Sequence, residues 1–184
     1  KGLIYKDKRL VNWDPNLETA VSDLEVNQVE VEGKMWFIEY NINESCEKII
    51  VGTTRPETIF GDSAIAINPK NKKLKKMIGK VAVIPIINKK IPIVSDSYAE
   101  IDKGSGAVKI TPAHDFNDFK IGKKHKLDFI EIFDKKASLN SNTPKSYQGL
   151  NRYKAREKII LELEKQGKIE KIIKNKMIIP IDDR

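Results

Sequence analysis

One cysteine, Cys46, stands in 184 residues. A disulfide within the chain is therefore excluded, and a cysteine-based zinc site has no ligands to draw on. A reducing cytoplasm is the setting this predicts. Long apolar runs are missing too. None approaches the 18 or so residues of a membrane helix, and no signal peptide opens the chain, so no membrane partner is expected. A glycine-rich phosphate loop is absent, as is any internal repeat. What remains is 40% hydrophobic and 33% charged, the balance of a folded domain with enough length for a packed core.

The charge is not balanced. Lysine and arginine number 34 against 26 aspartates and glutamates, a formal +8 that favours an anionic partner, nucleic acid first. The lysines are spread out (Lys72, Lys73, Lys75 and Lys76; Lys123, Lys124 and Lys126; Lys171, Lys174 and Lys176). A solvated surface explains such a spread equally well. The chain opens without methionine and is apolar at once, at Leu3, Ile4 and Tyr5, which reads as the interior of a longer protein.

Along the chain, Val29–Tyr40 is predicted to be a hairpin turning at Glu32-Gly33-Lys34. Ile49-Ile50-Val51 forms a strand that runs into Thr53-Thr54-Arg55-Pro56-Glu57-Thr58, where Pro56 stops the ladder. Gly61-Asp62 turns the chain before a strand over 64–67. Asn68, Pro69 and Gly79 bracket an expected helix. Strands are predicted over 81–87 and 91–94, over 107–110 and over 129–133, with a loop over 134–149. Asn151–Gln166 has an N-cap, an apolar stripe at Ala155, Ile159, Ile160 and Leu163, and a terminating Gly167, and so reads as a helix. Two short strands, 169–173 and 177–181, close the chain. The mixed order predicts an α+β fold: a β-barrel-like core of mixed strands with about three peripheral helices. Trp13, Trp36 and Phe37 are expected in that core.

The chemistry concentrates in Gly104–Asp118, GSGAVKITPAHDFND. A flexible turn leads into the strand Ala107–Ile110, and Thr111-Pro112-Ala113-His114-Asp115 leads on into a helix. Polar side chains at a strand end and a helix start converge with outward-pointing N–H groups, which suits a small, charged, hydrogen-bonding ligand. A simpler reading stands beside this one. Asp115 and Asp118 are spaced as a helix cap and a first-turn acid. Lys109 is harder to dismiss, since a charge within Ala-Val-Lys-Ile must point away from the apolar face.

Two stretches resemble a known family. Thr53–Thr58 is similar to the threonine-rich peptide, and Gly104–Asp118 to the Gly-Thr-Gly-Ala-Val-Lys-x-Thr-Pro-Ala-His-Asp-x-x-Asp motif, of the editing domain (connective polypeptide one) of class I aminoacyl-tRNA synthetases. Ser105 replaces the usual threonine. Within that family the valyl branch fits better than the isoleucyl or leucyl branch. Segments 9–15, 20–26, 147–150 and 182–184 resemble its flanks, although glycine is more usual at 182. The HIGH and KMSKS signatures of the catalytic domain are not in this sequence. The resemblance implies one editing domain over 1–184, with 1–28 and 150–184 as the connections to a catalytic domain. It also implies a monomer whose partners are the tRNA(Val) 3′ acceptor end and the rest of a synthetase chain. No cofactor is expected, ATP and Mg serving only the catalytic domain.

The implied reaction is hydrolysis of mischarged Thr-tRNA(Val). Threonine and valine are near-isosteres, and a hydrophobic pocket rejects an added hydroxyl poorly, a limit for which this amino-acid pair is the known case. No Ser-His-Asp or Cys-His arrangement is apparent, and an ester activated by a vicinal hydroxyl and an ammonium hardly needs one. By resemblance Asp118 pairs with the α-ammonium, and Asp115, aided by Thr111, reads the threonine hydroxyl. Arg55, Thr58 and Lys109 hold the terminal adenosine and its phosphate or stabilise charge on the ester oxygen. Thr53, Thr54, Glu57 and His114 complete the substrate-binding set, and no metal is expected. Each has a plainer alternative: an Arg55–Glu57 surface ion pair, β-propensity for the threonines, a packed and hydrogen-bonded His114. Two rival functions also stay open, a basic module that grips the acceptor end without cleaving it, and a metal-dependent hydrolase using His114, Asp115 and Asp118.

Overall fold

The computed structural model describes residues 3, 4 and 6–182. Tyr5 and the closing Asp183-Arg184, used in the sequence reading, lie outside them. In chain order the strands are β1 (Asn12–Asp14), β2 (Thr19–Val21), β3 (Val26–Ile42), β4 (Lys48–Thr53), β5 (Ala64–Ile67), β6 (Val81–Val83), β7 (Lys90–Ser95), β8 (Ala107–Ile110) and β9 (Ile169–Asp182). Two α-helices, α1 (Phe116–His125) and α2 (Arg152–Lys165), join three short 3-10 helices at Asp23–Glu25, Pro56–Gly61 and Lys75–Met77.

Seven strands form one mixed sheet in the order β4-β3-β6-β7-β5-β8, with β9 also paired to β3. β5 runs parallel to β7 and antiparallel to β8. The two ends of the path meet, β4 lying alongside β8, so the sheet curls towards a barrel. Ile38, Tyr40, Ile49, Ile65, Ile67, Ile91 and Ile93 fill its interior with essentially no exposure. Burying each such isoleucine stabilises the fold by about 1.5–3 kcal/mol. The expected α+β, barrel-like architecture is the one observed.

Several elements differ from expectation. The hairpin predicted at Glu32-Gly33-Lys34 is absent, because β3 runs straight through as 17 residues. Its partner is β9, a single strand in place of the two predicted, with Gly33 facing Asn175 and Val26 facing Asp182. A Cβ at Gly33 would lie 2.0 Å from the Met177 methyl, the movable end of a flexible side chain, so a larger residue there asks only that side chain to shift. The predicted helix over 68–79 reduces to turns and a 3-10 turn. The Asn68 and Asn71 side chains accept N–H groups two and three residues ahead, drawing the backbone away from a helical ladder. The strand expected over 81–87 stops at Val83, and Ile86 and Asn88 take positive φ values to turn the chain. Residues 129–133 form no strand beyond one bridge from Phe133 to Leu139. Trp36 and Phe37 are buried as expected, but Trp13 is 40% exposed.

What positions the site is the β8–α1 corner. Asp115 caps α1, its Oδ1 accepting the N–H groups of Asn117 (2.8 Å) and Asp118 (3.0 Å). Gly122 lets the helix lie against Pro112, since a Cβ there would come within 2.7 Å of the proline ring. The helix then runs on to His125 and ends at Lys126 in the left-handed region.

Candidate active site

Thr53, Thr54, Arg55, Thr58, Lys109, Thr111, His114, Asp115 and Asp118 line one cleft of about 230 Å³, with Met35, Gly52, Tyr98 and Val108 completing its wall. The end of β4, the 3-10 turn after it, the end of β8 and the start of α1 bring these residues together. Arg55 joins the two peptides, its Nη1 donating to the His114 carbonyl at 2.7 Å.

Asp118 is 6% exposed. Its Oδ2 accepts the Thr111 N–H at 2.8 Å, while Oδ1 has no protein partner among the described residues. Burial pushes the carboxyl up to about 6, the Thr111 bond opposes that, and the nearby Asp115 charge adds to it. The result is a carboxylate ionised at neutral pH yet poorly solvated, a strong acceptor for a ligand cation. Asp115 is exposed. One of its oxygens is committed to the cap, so its second oxygen is the part that a ligand can use. Tyr98, which no motif in the sequence marks, lines the cleft near both acids. Burial, then the Asp118 and Asp115 charges, push its hydroxyl up to about 12.

Behind the cleft lies a network that was not foreseen. Lys109, 8% exposed, donates to Asp62 Oδ1 (2.7 Å), Thr58 Oγ1 (2.9 Å) and Thr111 Oγ1 (2.6 Å). An ammonium has three protons, and all three are used. Its charge is neutralised by Asp62, which is fully buried, so within the protein the ammonium is held by Asp62 and the two threonines. Asp62 also accepts the Thr111 hydroxyl at 2.8 Å and the Tyr40 hydroxyl at 2.6 Å. In the sequence Asp62 reads as a turn residue. The one available signal was the aspartate directly after a glycine and before a fully apolar strand.

Glu57 and His114 are also held by partners within the protein. Glu57 is 1% exposed and lies away from the cleft, held by the Arg156 guanidinium in α2 through two bonds, Nε–Oε2 at 2.8 Å and Nη2–Oε1 at 2.9 Å. Arg55 approaches it only to 3.6 Å. Glu57 fastens the 3-10 turn to α2 and has no free oxygen to offer a substrate. His114 Nε2 accepts the Ile132 N–H at 3.1 Å, and its ring packs edge-on to Phe133. Burial, with Arg55 and Lys109 nearby, lowers it to about 4. It is a neutral, bonded ring that ties the motif to residues 130–132, the plainer of its two readings.

Beside this cleft and sharing Arg55, His114 and Asp115 runs a larger groove of about 830 Å³. Lys8, Arg9, Lys123, Lys135 and Arg152 supply cations there, and Trp13, Phe116, Phe119 and Phe129 supply ring surface. Asp7, Glu131 and Asp134 supply anions, of which Asp7 pairs with Lys123 and Glu131 with Lys8. Among the described residues no three His, Cys, Asp or Glu side chains cluster as a metal site. No helix among them is long and apolar enough to cross a membrane.

This geometry is that of a synthetase editing domain, and residues 71–176 match the family model described as "Leucyl-tRNA synthetase, editing domain". The match contains the Gly104–Asp118 motif, and the chain belongs to that family. Its relatives narrow the branch. The valine–tRNA ligase of Pelagibacter ubique (strain HTCC1062) is 53% identical over 186 residues, covering 100% of this chain and 21% of that protein. That of Francisella tularensis subsp. tularensis (strain SCHU S4 / Schu 4) is 48% identical over 183 residues, covering 100% and 20%. The chain thus spans about a fifth of the length of these curated relatives. The fold is shared with the agnB2 LeuRS of Agrobacterium radiobacter K84, whose structure was solved as a ternary complex with tRNA and LeuAMS. The TM-score is 0.57 at 22% identity, over 82% of this chain and 20% of that one.

Proposed function

We propose that the cleft hydrolyses the aminoacyl ester of Thr-tRNA(Val), within the cytoplasmic valine–tRNA ligase of which this domain forms part. Water adds to the ester carbonyl, the acyl–oxygen bond breaks, and the ribose oxygen leaves with a proton, giving threonine and tRNA. The observation that carries the reading is the Asp118 carboxylate, buried and partnered on one oxygen only. Its other oxygen meets the α-ammonium. The second oxygen of Asp115 and the hydroxyls of Tyr98 and Thr111 surround the β-substituent. Arg55 and Thr54 hold the terminal ribose and adenine. Fixing the ester and a water in a small cleft supplies much of the rate.

The ring-lined groove beside the cleft fits the nucleotides that precede the terminal adenosine. Rings stack on bases, and Arg9, Lys135 and Arg152, which have no acid partner among the ion pairs of the described residues, track the phosphates. The β3–β9 ribbon, whose ends at Val26 and Asp182 lie side by side, is the stalk that joins the domain to the synthetase body.

The test is deacylation of Thr-tRNA(Val) and Val-tRNA(Val) by the full-length enzyme, with and without excess chelator. Fast hydrolysis of the threonyl ester, slow hydrolysis of the valyl ester and no effect of chelator is the expected result. Tight tRNA binding without hydrolysis marks a binding module instead, and loss of activity in chelator marks a metal enzyme.

A further inference from the structure

The hydrogens of the two threonine hydroxyls next to Lys109 can be placed from their partners alone. Thr58 Oγ1 donates to the Arg55 carbonyl at 2.9 Å and accepts from Lys109 at 2.9 Å. Thr111 Oγ1 donates to Asp62 Oδ1 at 2.8 Å and accepts from Lys109 at 2.6 Å. A hydroxyl carries one proton and two lone pairs. In both residues the proton and one lone pair are spent inside the protein, which leaves one lone pair for the cleft that both residues line.

Asp62 is what imposes this on Thr111. It is ionically paired with Lys109, it accepts from Thr111 through the same oxygen, and Tyr40 holds its other oxygen at 2.6 Å. Tyr40 is itself fully buried, and burial followed by the Asp62 charge raises its hydroxyl well above its ordinary range, so it stays a donor. The chain of bonds has one direction throughout: Tyr40 and Lys109 give, Asp62 receives, and the threonine protons point inward.

We propose that Asp62 is a positioning residue that sets the polarity of the cleft at Thr111, presenting that hydroxyl, beside the Arg55-bound Thr58, to the substrate as a hydrogen-bond acceptor. A ligand group is favoured there if it brings a proton, as a threonine hydroxyl does. A methyl group brings none, and a fluorine brings only further lone pairs, so both leave the oxygens unpaired. The inference rests on the editing reading above for the identity of the ligand, but not on catalysis.

It is tested with non-hydrolysable amide analogues of 3′-aminoacyl-adenosine bearing threonine, valine, or 2-amino-3-fluorobutyrate, in which fluorine replaces the threonine hydroxyl. On the wild-type full-length enzyme the threonyl compound should bind at least tenfold more tightly than the fluoro compound, which should bind like the valyl one. Equal binding of the threonyl and fluoro compounds overturns the proposal. Asp62→Ala removes the oxygen that takes the Thr111 proton and frees that rotor, so the gap between threonyl and fluoro compounds should shrink several-fold. Asp62→Asn, whose Oδ1 still accepts from Lys109 and Thr111, should keep the gap. A uniform loss across all three ligands marks Asp62 as merely structural and overturns its assigned role. If Asp62→Ala does not fold, Thr111→Val, which removes the oriented hydroxyl itself, should shrink the same gap, and an unchanged gap counts against the proposal. A wild-type enzyme that binds in the expected order yet hydrolyses nothing sinks the hydrolytic reading and leaves this one standing.

Discussion

The Thr111 N–H and the Asp118 carboxylate are joined at 2.8 Å, so the last residue of β8's extension holds the acid that opens α1's first turn. That bond does not offset the cost of burying the charge, and the group sits at about 6, above its ordinary 3.8. A raised carboxylate favours the protonated folded state. The stability it contributes is complete below about 4 and is lost as pH rises through 6. Asp118→Asn keeps an acceptor for Thr111 and has no charge to bury. It is predicted to melt higher than wild type at pH 7, by up to about 3 kcal/mol of stability, with the difference vanishing towards pH 4. Calorimetric melts across that range check it.

The same titration should appear in the reaction. Ammonium pairing needs the ionised acid, so deacylation of Thr-tRNA(Val) is predicted to fall tenfold per pH unit below about 6. Asp118→Asn should flatten that limb and lower the plateau. Asp118→Ala should reduce deacylation of every aminoacyl ester by about 30- to 1000-fold, the worth of a charged hydrogen bond in a partly desolvated site (about 2–4 kcal/mol).

Asp115 serves two purposes through two oxygens. Asp115→Ala removes the cap and should cost about 1 kcal/mol of stability together with threonine selectivity. Asp115→Asn caps equally well. It should melt like wild type while hydrolysing Thr-tRNA(Val) more slowly and Val-tRNA(Val) no more slowly. Wild-type kinetics from Asp115→Asn would leave Asp115 a cap and nothing more.

Lys109 is predicted to matter first to the fold. Lys109→Ala strands the Asp62 charge without its cation, and breaking a buried pair in this way costs about 3–5 kcal/mol. The observable is a melting temperature lowered by many degrees. An unchanged melt with weakened binding of a terminal-adenosine analogue would instead give the ammonium a direct part in binding.

Arg156 offers a contrast outside the cleft. Arg156→Ala leaves Glu57 buried with Arg55 at 3.6 Å as its remaining cation, and should cost about 3 kcal/mol. Selectivity between threonyl and valyl esters, measured well below the melt, should not change. Lost selectivity would restore Glu57 to the substrate.

Local chemistry made parts of this legible in the sequence. Asp115 as a cap, Asn151 and Gly167 bracketing α2, and the strands before Pro56 and Thr111 depend on near neighbours, and the motif spacing brought Asp115 and Asp118 into one turn. Long-range partners were not legible. Gly33 resembles a turn until β9 lies beside it, and nothing near Asp62 announces Tyr40 or Lys109. Glu57 reads as a partner for Arg55, two residues away, until α2 brings Arg156 to it. The asparagines at 68 and 71 mimic a helix start while bonding the backbone into turns.

The pairing of β3 with β9 also dictates an order of events. Lys176 reaches Glu30 across 146 positions of sequence, and the ladder continues to Asp182. Until the last strand exists, the Val26–Ile38 edge of β3 offers its unpaired N–H and C=O groups to any strand that drifts past. Closing so distant a contact is slow, so β3 should be among the last parts of the domain to become protected from hydrogen exchange during refolding. On the ribosome, that edge waits for some 140 further residues to emerge, and it is there that misfolding and aggregation of a nascent chain would begin.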